Sequence, residues 1–509
     1  MAQSRRTVIG AGLSVAALGL LRAAPARAAE VRFATDPFTL GVASGYPEPN
    51  AAVLWTRLAP EPFVPGGGMP TAPIVVEWEV GEDDALRRIV RRGTAHATAD
   101  FAHSVHVEVT GLRPGRDYWY RFTCGGVQSP VGRTRTAAAH GTTPERFALA
   151  IASCQHYEQG HFVAYRAMAA DALDLVVHVG DYIYEHRGTQ RVREHSLGEC
   201  YTLDDYRQRF ALYKSDPHLK AAHAAAPWMV VSDDHEVAND YAAFESDQGD
   251  PPEVFAARRA AAYQAYYEHL PLPPRFVPVA GRQQLYTSRS FGDLVSLFML
   301  DGRQYRSPQA CGPAPLVEPC AELTAEQRTM LGAEQEQWLG TALGASTTRW
   351  NLIGQQTLFA HFDQSGPGPL AYWADGWNGY PAARARLVDA LIARRTRNPV
   401  ILSGDIHAFL VNDVNVDPTN FDSAVVATEL VTSSITSLGP PQRNFDVWRT
   451  ENPNVHFARS DQRGYVRVAV GAESLHADLI AVEDIARPDS ATHVLASFDV
   501  ASDRPGIAR

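Results

Sequence analysis

Four apolar runs beyond residue 146 each lead into a short polar motif, and this pattern constrains the fold more than any other feature of the chain. Residues 147–152 precede Ser153-Cys154-Gln155, and residues 175–179 precede Gly180-Asp181-Tyr182-Ile183-Tyr184. Residues 229–231 come just before Asp233-Asp234-His235-Glu236, and residues 400–403 precede Gly404-Asp405-Ile406-His407. Apolar runs without alternation belong to strands buried on both faces, as in a sheet covered by helices. In open α/β sheets, ligand sites form beyond the carboxyl ends of the strands. A thiol, a phenol, imidazoles and carboxylates at four such ends point to one cluster of metal ligands, and so to a metal-dependent hydrolase.

Each motif carries its own chemistry. Gly180 permits a tight turn after its strand, so that Asp181 projects from the sheet edge. A carboxylate there can bridge two metals, and Tyr184, three residues on, can reach the same ion. Phenolate is a hard ligand. The one-residue spacing of Asp405 and His407 can place them on neighbouring metals. Residues 233–236 hold three carboxylates and an imidazole, whose repulsion would be costly if they were buried without a cation. The alternative for that quartet is a solvated acidic helix start, where aspartate caps well.

The rest of the chain divides into two patterns. Residues 36 to about 140 hold β-branched and aromatic runs at 52–56, 74–78 and 104–109, punctuated by glycine and proline. The segment 111–122 carries a tyrosine at a sandwich corner, as in a fibronectin III or immunoglobulin-like fold. An all-β sandwich over 36–137 is expected, then a polar linker over 137–145. Strands and helices alternate afterwards. Helices are expected over 162–170, 253–269 (alanine-rich and amphipathic) and 382–395. Further strands are expected at 294–300, 351–354, 425–431, 464–470 and 494–500. The expected architecture over 146–502 is an α/β domain with a central β-sandwich flanked by helices.

The first 28 residues carry four arginines and no acidic residue. Ser4-Arg5-Arg6-Thr7 forms a twin-arginine pattern, an apolar stretch follows over 8–21, and Ala26-Arg27-Ala28 offers a cleavage site. This reads as an export signal for the twin-arginine machinery and places the mature protein in the periplasm or outside the cell. No later stretch of about 18 apolar residues appears, so no transmembrane anchor is expected. A net charge of −11 argues against binding nucleic-acid polymers. Of five cysteines, Cys311 and Cys320 flank a proline-rich loop and can close a small disulfide ring. The odd count leaves at least one thiol free, and Cys154 is the choice on position. No Gly-x-Ser-x-Gly elbow or phosphate-cradling Walker motif is present, which sets aside serine hydrolases and nucleotide-driven work.

The four strand-end motifs resemble those of PhoD-like secreted phosphatases and phosphodiesterases, within the wider metallophosphoesterases. Residues 206–217 and 228–237, the twin-arginine signal and the leading sandwich match as well. The resemblance implies one Fe3+ held by Cys154, Asp181, Tyr184 and His407. It also implies Ca2+ held by Asp181, Asp234 and Asp405, with Asp181 bridging and Asn239 as a weaker ligand. His235 would contact the phosphate or protonate the leaving group, and Asp181 is counted with it as catalytic because it bridges. The substrate would be a phosphate ester, attacked by a metal-activated hydroxide. A phosphomonoesterase and a phosphodiesterase of phospholipase D type remain open, because they share one metal core. A non-catalytic, secreted calcium-binding protein is the alternative of a different class. Arg166 or Arg187 could bind phosphate, and the loop 374–380 could form either a substrate rim or a packed surface loop.

Overall fold

The computed structural model describes residues 32–507 apart from Pro313 and Pro315. The export signal expected over 1–28 lies outside the described residues. Two large sheets organise the rest. A nine-stranded sheet runs from Thr492–Ala501 through Ser474–Val482, Arg463–Val470, Phe147–Ala152, Leu175–His178 and Pro227–Val230, and continues into Val42–Glu48, Ala51–Arg57 and Ser104–Thr110. A seven-stranded sheet runs Thr287–Phe291, Val295–Met299, Trp350–Gly354, Pro399–Ser403, Val425–Val431, Phe409–Asn415 and Val455–Arg459.

The apolar runs lack alternation because both faces of these strands are buried. Leu297, Leu352, Leu402 and Leu430 share one core with Leu149, Val176 and Val177 of the other sheet. Their neighbours Phe298, Ile353 and Ile401 pack instead on Leu339, Leu343, Leu387 and Leu391 of helices Gly332–Ala345 and Pro381–Ala393. The second core closes the outer face of the seven-stranded sheet. Helix Val163–Ala170 adds Val163, Tyr165 and Met168 to the first core.

The N-terminal segment forms the expected sandwich. Its second sheet contains Ile89–Ala97, Ile74–Gly81, Asp117–Cys124 and Val127–Gln128, with Gly132–Arg135 on Asp117–Cys124. Val76, Val80, Tyr120 and Phe122 from this sheet pack on Val42, Leu54, Val105 and Val107. The Tyr118 hydroxyl accepts from the Arg113 amide at 2.9 Å and closes the tyrosine corner. The sandwich is also continuous with the sheet that follows, because Val42–Glu48 pairs in parallel with Pro227–Val230. At that seam a Cβ on Gly45 would stand 2.6 Å from the Trp228 carbonyl oxygen, so only glycine permits the approach.

Helix Pro252–His269 forms where alanine-rich sequence predicts one, but its buried face carries Arg258, Arg259, Glu268 and His269 beside Phe255 and Tyr263. The apolar stripe of an amphipathic helix is therefore mixed with buried charge. Cys311 and Cys320 form a disulfide, while Cys124, Cys154 and Cys200 are free and buried.

Candidate metal centre

Three of the four motifs leave adjacent parallel strands. His178 stands in register with Ala152 on one side and Val230 on the other. The fourth leaves Pro399–Ser403 of the other sheet. The motifs therefore meet where the carboxyl ends of both sheets come together. Four of the residues there adopt left-handed backbone: Cys154 (φ 56°), Asp181 (57°), Asp405 (65°) and His407 (57°). Such conformations cost about 1–3 kcal/mol each and persist where surrounding structure enforces them, commonly at functional sites. Gly180, at φ 118°, lets the loops close, since a Cβ there would lie 2.4 Å from Cβ of Asp233.

Ligand atoms of Cys154, Asp181 and His407 lie within 4.8 Å of one another. The Tyr184 hydroxyl joins them, 2.8 Å from Asp181 Oδ2 and 3.1 Å from His407 Nε2. His407 Nδ1 lies 2.9 Å from the Leu438 carbonyl, to which it donates, so Nε2 is left as the acceptor facing inward. Burial lowers this imidazole to about 3, which keeps it neutral and ready to ligate. The Ser437 hydroxyl stands 2.8 Å from the Tyr184 oxygen and 2.7 Å from the Cys154 carbonyl, tying two of the donors together.

A second group shares Asp181. Ligand atoms of Asp181, Asp233, Asp234 and Asp405 also lie within 4.8 Å of one another. Asp181 Oδ1 and Asp234 Oδ1 are buried and accept no hydrogen bond among the described residues. Burial and the neighbouring carboxylates push Asp181 and Asp405 well above the usual range and Asp233 up to about 7. Asp234 goes the other way, because Arg303 and His235 outweigh its burial. The Cys154 thiol and the Tyr184 phenol are pushed up by burial and then by the Asp181 charge. Four crowded carboxylates, with two inward oxygens that accept no hydrogen bond among the described residues, are an arrangement that cations relieve. The donor chemistry fits metals: thiol, phenol and imidazole on one side of Asp181, carboxylate oxygens on the other.

The Asp-Asp-His-Glu quartet separates into four tasks. Asp234 faces the centre. Asp233 pairs with the buried Arg303 guanidinium, which also grips Asp375 at 2.7 Å and stands 3.5 Å from Asp234. Glu236 accepts the amides of Asp181 (3.2 Å), Tyr182 (2.6 Å) and Asp233 (2.8 Å), so it clamps two loops together. The His235 ring packs against Tyr184 with centroids 4.1 Å apart and planes tilted by 32°, and its Nδ1 lies 2.8 Å from Glu185 Oε2. Burial opposes a charge on His235, but Glu185, Asp234 and Asp181 hold it well above the usual imidazole range. Asn239 is half-buried on the turn after the quartet, and its backbone N–H donates to Glu185 Oε1 at 2.8 Å.

Some supporting residues have no local signal in the sequence. Arg303 and Ser437 acquire their partners only in the fold. Glu185 carries a weak one, as an acidic residue directly after a motif that is otherwise buried. Arg166 is spent on the carbonyls of Pro488 and Ser490, and Arg187 lies exposed beside the Leu197 carbonyl. The loop 374–380 is mostly buried, and its Ala374 and Asp375 line a cavity with Asp240 and Gln309. Its Asp375 binds Arg303 and Arg306, and Trp377, 1% exposed, donates to Gln355 at 2.8 Å.

Comparison with known proteins gives the family of the chain. Residues 149–479 match the PhoD-like phosphatase model, and residues 23–138 match the PhoD-like phosphatase N-terminal domain. Alkaline phosphatase D of Bacillus subtilis (strain 168) is 44% identical over an alignment of 521 residues, which covers 99% of this chain and 88% of that protein. The solved structure of PhoD superposes with a TM-score of 0.90 at 44% identity, over 94% of this chain and 93% of the other. The chain belongs to the PhoD-like phosphatase family.

Proposed function

We propose that the protein hydrolyses phosphate monoesters outside the cytoplasm with an Fe3+ and Ca2+ centre. Cys154, Asp181, Tyr184 and His407 would hold iron, and Asp181, Asp234 and Asp405 would hold calcium, with Asn239 as a weaker ligand. The observation that carries the reading is Asp181, a buried carboxylate shared by two ligand groups, with one oxygen that no hydrogen bond occupies. A thiolate, a phenolate and a carboxylate suit a trivalent ion, and an all-carboxylate neighbour suits calcium. When bound, the two metals supply Lewis acidity toward phosphate oxygens and lower the pKa of a water.

The chain supplies position and protons. The Leu438 carbonyl and the Ser437 hydroxyl hold His407 and Tyr184 in place. Glu185 orients His235 through Nδ1, so its Nε2 holds a proton for the leaving oxygen. Catalysis is assigned to residues 146–502, and the sandwich over 36–137 is assigned the role of bracing the sheet from its edge. The name of the Bacillus subtilis relative favours the monoester. Among the described residues no helix is long and apolar enough to cross a membrane. The twin-arginine pattern is the basis for assigning export.

The test compares a chromogenic monoester with a diester of the same alcohol on metal-loaded protein. Faster monoester turnover, abolished by chelation and restored by added metal, supports the reading. Turnover that survives complete metal removal refutes it.

A further inference from the structure

His186 shares a group of potential ligand atoms with Glu185 and His235 but none with Asp181, and its ring stands beside the candidate centre. Its Nδ1 lies 3.3 Å from Glu185 Oε2, the same oxygen that His235 Nδ1 approaches at 2.8 Å. The other Glu185 oxygen accepts the Asn239 amide. One fully buried carboxylate thus serves two imidazoles, where one would be enough to orient His235. The His186 and His235 ring centroids are 5.1 Å apart, and the His186 and Tyr184 centroids 6.3 Å apart. The His186 side chain is 39% exposed against 11% for His235. With Nδ1 turned to Glu185, Nε2 lies on the far side of the ring.

A phosphate group held by metals on one side needs donors on the other. Arg303 is gripped by Asp233 and Asp375. Arg463 donates through Nη1 to the carbonyls of His407, Ser460 and Gln462, and its Nε is buried without a hydrogen-bond partner among the described residues, whereas the His186 ring is part-exposed. We propose that His186 is a further phosphate-binding residue, whose Nε2–H donates to a phosphoryl oxygen while Glu185 holds the ring. The group recognised is a phosphate dianion, either free or at the end of a monoester. This rests on the phosphate-binding part of the proposed function and not on turnover.

The experiment titrates inorganic phosphate into metal-loaded protein by calorimetry, with metal content measured beside it. A charge-assisted hydrogen bond of this kind corresponds to a change in affinity of about tenfold. His186→Ala should weaken phosphate binding by that factor and raise KM for a monoester more than it lowers kcat, with metal content unchanged. His186→Gln, which keeps an N–H donor, should recover most of the affinity. Equal phosphate affinity in wild type and His186→Ala overturns the proposal, as does a loss that tracks lost metal in both variants. If the wild type binds phosphate through His186 but hydrolyses no ester, the hydrolase reading falls and this one stands. If esters turn over normally and His186→Ala binds phosphate like wild type, the reverse holds.

Discussion

Glu236 is the carboxylate whose removal should reach furthest without touching a proposed ligand. It accepts three buried amides, two on Oε2 (Asp181 and Asp233) and one on Oε1 (Tyr182). Glu236→Ala leaves all three amides without an acceptor in a region closed to water. At about 1–2 kcal/mol for each orphaned donor, the loss sums to about 3–6 kcal/mol. Relief of repulsion with Asp233 and Asp234 offsets part of it, so the lower end is expected. That is still a large share of a typical folding stability of about 5–15 kcal/mol. Glu236→Gln keeps one acceptor oxygen and sets an amide donor against the remaining N–H, so its cost should fall between wild type and alanine. The assay is hydrogen exchange of the segment over 180–185, which reads local opening directly. Protection there should drop in the order wild type, glutamine, alanine, and metal content should follow, because Asp181 holds left-handed backbone within that clamp. Protection and metal content in Glu236→Ala equal to wild type would refute the clamp.

Other outcomes follow from the same geometry. Asp181→Ala removes the carboxylate shared by both groups and should lose both metals and most activity, checked by elemental analysis and turnover. His235→Ala should keep its metal and slow turnover most for poor leaving groups, since it lacks only the proton on Nε2; a uniform loss across leaving groups argues against the acid role. Replacing Cys311 and Cys320 together by serine opens a ring with a sequence separation of 9. Loop entropy sets the cost at about 2–3 kcal/mol, measured by denaturant unfolding.

Much of the fold was legible because burial on both faces leaves a simple mark. The runs at 147–152, 175–177 and 400–402 are apolar throughout: Val400 and Leu402 enter one core and Ile401 the other, while the first two runs are enclosed by a single core. The candidate metal donors were legible because each sits just past such a run. What could not be read was the division of labour among neighbours. Asp233, Asp234 and Glu236 are adjacent and chemically alike, yet one meets Arg303, one faces the centre and one binds amides. The Asp233 partner lies 70 positions away in the chain, so local pattern carries no trace of it. The loop 374–380 stayed ambiguous, because glycine and aromatics mark exposed rims and packed turns alike. A Cβ on Gly379 would stand 1.9 Å from the Ala374 carbonyl oxygen, which shows how tightly that turn is folded. The pairing of Val42–Glu48 with Pro227–Val230 was hidden for a related reason: partners far apart in the chain leave no shared local pattern.

The central claim is that thiol, phenol, imidazole and a shared carboxylate converge on one ion. X-ray absorption at the iron edge of purified wild type and Cys154→Ser tests it most directly. The account predicts bound iron with one sulfur among its nearest scatterers, lost in the serine variant. Fully active protein without iron, or iron with no sulfur neighbour, would contradict it.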